Sequence, residues 1–153
     1  MAKDDLSSPA RFNTLVVSTD GTPFAKRAVE TAFEWARRDR AKIIVISVVD
    51  TSVLADFVGE PERYREKVMR ELEHNAEEAV AQVGKMAAEA GVDAEMIVRR
   101  GRPHVEIVTA AAHAEADLIV MGKRSGYRTG RHPIGSVTQR VLEDADCAVL
   151  VVP

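Results

Sequence analysis

The sequence predicts an α/β fold: a single doubly wound sheet of five parallel strands, in the order 3-2-1-4-5, with helices on both faces. Three observations lead there. Short β-branched apolar runs alternate with longer segments of helical period. The run "KIIVISVV" (42–49) is apolar on both alternations, as expected of a central parallel strand buried on both faces. No linker-like or low-complexity stretch interrupts the series, so residues 11–153 read as one domain, preceded by a disordered tail over 1–10.

Each element has its own warrant. "FNTLVVS" (12–18) is the first strand, and "TDGTPF" follows it, with Thr22 as a helix cap and Pro23 at the first helical position. Ala25, Ala28, Val29, Ala32, Phe33 and Ala36 then recur at three and four, the stripe of a helix lying on a sheet. After the second strand, "DTSVLADFVGE" reads as a loop ending at Pro61. From there Tyr64, Val68, Leu72, Ala76, Ala79, Val83, Met86 and Ala90 mark one long helix, loosened at Gly84 and stopped by Gly91. "VDAEMIVRR" (92–100) alternates and carries charge, which suits a strand near a sheet edge.

"GRPHVEIVTAAAHAEA" reads as a turn and a helix that offers Val105, Ile107, Val108, Ala111 and Ala112 for packing. "ADLIVMG" (116–122) is the fourth strand, "VTQRVLEDA" (137–145) the last helix and "CAVLVV" (147–152) the last strand. Cys147 has no cysteine partner and reads as a small buried hydrophobe. The parallel neighbours require crossovers, which the helices supply.

Composition removes several function classes. A net charge of −3 lacks the broad basic face of a nucleic-acid binder, and aromatics make up only 5%. No run approaches the ~18 apolar residues of a membrane span, and the acidic start "MAKDDLSSPA" is unlike a signal peptide, so the expected compartment is the cytoplasm. His74, His104, His113 and His132 are scattered, which gives no metal-ligand spacing. Neither Gly-x-x-x-x-Gly-Lys-Ser/Thr nor Gly-x-Gly-x-x-Gly occurs.

One loop stands against the acidic background. In "MGKRSGYRTGRHPIGSV" (121–137), Lys123, Arg124, Arg128 and Arg131 lie between Gly122 and Gly135 without an acid. In a doubly wound sheet the strand order reverses between strands one and four, and ligands bind beyond the carboxyl ends of those strands. This loop and "TDGT" therefore face one another across the crevice. Glycines that allow close approach, four cations and the helix start "GSVT" (135–138) suit a phosphate site; a solvated charged loop is the other reading. Asp20 either turns the chain before Pro23 or meets the base or ribose of a nucleotide.

The same stretch, with "TQRVLEDADCAVLVV" after it, resembles the C-terminal signature of the universal stress protein family. "LVVSTDGT" resembles that family's first strand and its Asp, and "GRPHVEIVTAAAHAEADLIVMG" its Gly-x-Pro turn, third helix and fourth strand. The nucleotide-binding branch spaces Gly, two residues, Gly, nine residues, Gly, then Ser or Thr. Gly122, Gly135 and Ser136 keep that spacing, and Ser125 replaces the second glycine.

The resemblance implies a Rossmann-like fold of the adenine nucleotide alpha hydrolase-like kind and a stress-response binding or regulatory module. It implies an adenine nucleotide, ATP or else AMP or ADP, with Mg²⁺ accompanying the phosphates. The base lies near Asp20 and Val48, Met121 sits beneath the nucleotide, and ribose and phosphates lie near Gly122, Ser125, Gly135, Ser136, Val137 and Thr138. Lys123 and Arg124 add charge beside them. The family also pairs its last strand across a homodimer, which implicates Val149, Leu150, Val151 and Val152. Ser125 either donates its hydroxyl or obstructs the phosphate, and Gly126 offers an alternative turn. Obstruction would leave a family member that binds no nucleotide and acts through a protein partner. No nucleophile, base and orienting group can be named, so slow ATP hydrolysis is the most the residues suggest.

Overall fold

The computed structural model describes residues 11–124 and 133–153. The strands are β1 (Thr14–Ser18), β2 (Lys42–Asp50), β3 (Ala94–Gly101), β4 (Leu118–Gly122) and β5 (Ala148–Val152). The helices are α1 (Pro23–Asp39), α2 (Glu62–Ala90), α3 (Pro103–His113) and α4 (Ser136–Asp144). All four strand pairings are parallel, and the order is β3-β2-β1-β4-β5, as expected from the sequence.

Side chains divide between the two faces with the period of two that a strand imposes. Leu15, Val17, Ile43, Val45, Leu118 and Val120 pack with α1 and with Val83 and Ala87 of α2. Their neighbours Val16, Ile44, Ile46, Ile119 and Met121 pack on the other face with Ile107 and Ala111 of α3 and Val141 of α4. Both faces of the three central strands are therefore dry, which is why those strands show no polar alternation.

The α1 stripe is buried at the six expected positions, and Thr22 caps the helix by accepting the amide of Ala25. The N-terminal side of the sheet is pinned by carboxylates. Asp39 accepts the amide of Phe12 at 2.9 Å, and Asp117 accepts those of Asn13 and Thr14 at 2.8 and 3.0 Å. Asp39 is also paired with Arg38 through two hydrogen bonds, and Arg38, together with the Phe12 amide, holds its carboxyl down at about 2.

Three expectations are corrected. The segment expected as a loop contains a 3-10 helix, Thr51–Phe57, whose cap is Asp50. The α2 helix runs through Gly84 without a break, and of its apolar stripe only the second half reaches the core. Ala76, Ala79, Val83 and Ala87 are buried, whereas Tyr64 is 46% exposed. A 29-residue helix is about 43 Å long and a nine-residue strand about 30 Å, so the first turns of α2 overhang the sheet. In α3, Val105 is 44% exposed and Ala112 is exposed, because only the Ile107 and Ala111 side of this short helix meets the sheet.

β3 and β5 are the two edges. β3 protects its edge with charge: Lys42 pairs with Glu95, and Arg100 with Glu73. β5 is apolar and half-buried from Val149 to Val152. Cys147 is half-buried against the α3/α4 face, and burial, aided by the charge of Asp117, pushes its thiol pKa up. The expected tail over 1–10 lies outside the described residues.

Candidate functional site

A cleft of about 620 Å³ opens at the carboxyl ends of β1, β2 and β4. It lies where the strand order reverses, between β1 and β4. One wall is the turn after β1. There Thr19 donates its amide to the carbonyl of Ile46 at 2.9 Å, and its hydroxyl accepts the amide of Gly21 at 3.2 Å. Asp20 Oδ1 accepts the amide of Thr22 at 3.0 Å and the Thr22 hydroxyl at 2.5 Å. Asp20 thus serves the turn and still lines the cleft, so its two sequence readings are compatible.

The opposite wall is the entry to α4. The chain leaves β4 at Gly122, where any Cβ would meet the backbone carbon and oxygen of Phe24 at 3.1 Å. That close approach is what the glycine permits. Lys123 donates its amide to the Val152 carbonyl at 2.7 Å and accepts the amide of Gly135 at 2.9 Å, which sets the start of α4 beside the end of β4. Thr138, 1% exposed, donates its hydroxyl to the Gly122 carbonyl at 2.9 Å and fixes the first turn of the helix.

Gly135 is the N-cap of α4, at φ −65° and ψ 152°, and among the described residues no side chain caps this helix. The first intrahelical bond runs from the amide of Gln139 to the carbonyl of Gly135. The amides of Ser136, Val137 and Thr138 therefore have no acceptor within the helix, and all three residues line the cleft. With Arg124 on the same rim, this is a donor set for an anion.

The third wall comes from β2 and α3. Pairing of β2 with β1 stops at Ser18 and Ile46, and β2 continues four residues further. The Ile46 carbonyl points toward β1, and backbone groups two residues apart on a strand point the same way. The amide and carbonyl of Val48 therefore face the cleft where β1 has ended. Pro103 and Ile107 close this end, and buried Met121 forms the floor.

Of the residues expected at the site, Asp20, Val48, Met121, Gly122, Arg124, Gly135, Ser136, Val137 and Thr138 line this one cleft. Lys123 contributes backbone bonds beside it and is not among the lining residues. Ser125, with Gly126, Arg128, Gly130, Arg131 and His132, lies outside the described residues. Sequence reasoning missed Ser18, Thr19, Asp50, Pro103, Ile107 and Gln139. Asp50 carries a signal that could have been used, since it is an acid at the carboxyl end of a central strand.

The profile of the Universal stress protein family matches residues 11–153, and the chain belongs to that family. A universal stress protein of Methanocaldococcus jannaschii is 38% identical over 142 residues, which cover 92% of this chain and 82% of that protein. Among solved structures, a universal stress protein from Lactobacillus plantarum superposes with a TM-score of 0.81 at 25% identity, covering 95% of this chain and 100% of the other. A further universal stress protein, solved in complex with cAMP, superposes with a TM-score of 0.61 at 26% identity, covering 94% and 98%.

Proposed function

We propose that the cleft binds an adenine nucleotide, ATP, ADP or AMP, and that the protein is a nucleotide-dependent binding or regulatory module of the stress response. The observation that carries this reading is the pairing of two sets of backbone groups across one cleft. The uncapped amides of Ser136, Val137 and Thr138 suit a phosphate. The amide and carbonyl of Val48 offer one donor and one acceptor, the complement of the N1 and N6 edge of adenine. Asp20 stands at the rim between them, where a ribose hydroxyl would donate to it. Support also comes from the family member solved with cAMP, an adenine nucleotide.

Mg²⁺ belongs to this reading as a companion of the phosphates, held mainly by the nucleotide's own oxygens. No helix among the described residues is long and apolar enough to cross a membrane, and we place the protein in the cytoplasm. Its partner in this reading is a second copy of the chain. The apolar β5 edge, from Val149 to Val152, is the surface that a second β5 would cover.

The test is to denature freshly purified protein, identify any nucleotide released, and then measure thermal unfolding with added ATP and Mg²⁺. A ligand at a hundred times its dissociation constant stabilises by about 2.7 kcal/mol. Release of an adenine nucleotide, or a saturable upward shift, is the expected result. No released nucleotide and no shift at millimolar ATP would favour a family member that acts through protein contacts alone.

A further inference from the structure

We propose that Asp50 selects the base: its carboxylate accepts the exocyclic amine of a 6-amino purine and excludes 6-oxo purines from the same cleft. The inference rests on the nucleotide reading above. Asp50 is the last residue of β2, two positions beyond Val48, and both line the cleft. Residues two apart on a strand share a face, and Val48 packs with the α3 face, so Asp50 stands on that side too.

Its carboxylate is held in place. Oδ1 accepts the amide of Ser52 at 2.9 Å and the Ser52 hydroxyl at 2.5 Å. Both bonds go to one oxygen, and among the described residues Oδ2 accepts no hydrogen bond. The carboxylate is therefore oriented by the chain and retains acceptor capacity.

Charge fixes which part of a ligand it meets. Arg124 and the α4 amides are at the β4 side of the cleft, while Asp50 is at the β2 side. β2 and β4 both neighbour β1, so they are separated by on the order of 10 Å. A phosphate is attracted to the first side and repelled by the second, which leaves the base facing Asp50.

The amine at position 6 of adenine carries two protons, and the Val48 carbonyl and the Asp50 carboxylate are two acceptors. A 6-oxo purine would instead bring an acceptor against an anion, with no proton between them. A site built to accept an N–H strongly rejects an analogue that lacks it.

The experiment compares AMP with inosine monophosphate, which differ at position 6, by calorimetric titration of the wild-type chain, D50N and S52A. Melting curves of each variant confirm that it is folded. The wild type is expected to prefer AMP by at least about tenfold. In D50N that preference should narrow by about tenfold, mainly through tighter binding of inosine monophosphate, because an Asn amide can donate to the oxygen. S52A retains the carboxylate and should retain the preference.

Equal affinity of the wild type for the two nucleotides would overturn the inference without any variant. Tight AMP binding with an unchanged preference in D50N would overturn it alone. Absence of binding of either nucleotide to the wild type would overturn the nucleotide reading as well.

Discussion

Thr138 Oγ1 donates a 2.9 Å hydrogen bond to the carbonyl of Gly122, and this bond joins the first turn of α4 to the end of β4. It holds two parts of the cleft lining together. Replacing Thr138 by Val keeps the volume and leaves the Gly122 carbonyl without its donor, at a cost of about 1–3 kcal/mol. Denaturant unfolding should show that loss, and nucleotide affinity should fall with it. Thr138→Ser, which keeps the hydroxyl, should restore most of both.

Two glycines should respond to alanine with opposite signs. At Gly122 the added Cβ would lie 3.1 Å from the Phe24 backbone, which cannot swing aside as a side chain can, so Gly122→Ala should destabilise by about 1–3 kcal/mol. At Gly84, inside α2, nothing lies within 4 Å of the added atom. Gly84→Ala should stabilise by about 0.5–1 kcal/mol through helix propensity. Thermal unfolding of both variants checks the pair.

The uncapped start of α4 yields a prediction in which stability and binding move apart. An Asp at position 135 has the extended backbone that an N-cap uses, and its carboxylate would accept the helix amides. Gly135→Asp should therefore gain a few tenths of a kcal/mol of stability and lose nucleotide binding, since the amides are then occupied and a like charge opposes the phosphate. Melting curves with and without ATP measure both effects.

Acid should weaken the anchorage of the first strand. The Arg38 side chain, together with the amide of Phe12, lowers the Asp39 carboxyl from 3.8 to about 2. A carboxyl lowered by folding stabilises above its unfolded value, and that contribution disappears as pH falls from about 4 toward 2. Asp39→Asn should melt below the wild type at neutral pH, and the gap should close across that window. A melting-temperature profile against pH for the two proteins tests this.

The sheet was legible in the sequence because burial on both faces leaves no polar alternation in β1, β2 and β4, and because the Thr22-Pro23 start and the Gly91 stop are local signals. Overhang was not legible: the apolar stripe of α2 has the same period at Tyr64 as at Ala79, and only the length of the strands decides which half is covered. The 3-10 segment escaped because so short a helix has no apolar stripe. In the cleft, residues on the two reversing loops were found from topology and spacing. Pro103, Ile107 and Gln139 were not, since α3 and the second turn of α4 reach the cleft through tertiary packing alone. Asp50 was not legible because "DTSVLADFVGE" reads as a loop, and only the structure shows its first residue ending β2 and capping the 3-10 segment.

Whether one nucleotide spans the cleft from Val48 to the start of α4 can be read most directly from amide chemical shifts in a ¹⁵N-labelled sample titrated with AMP. The amides of Val48, Gly122, Ser136, Val137 and Thr138 should move together along one saturation curve, with those of β3 and of the first half of α2 unchanged. Saturable movement confined to other surfaces, or no movement at millimolar nucleotide, would contradict that arrangement.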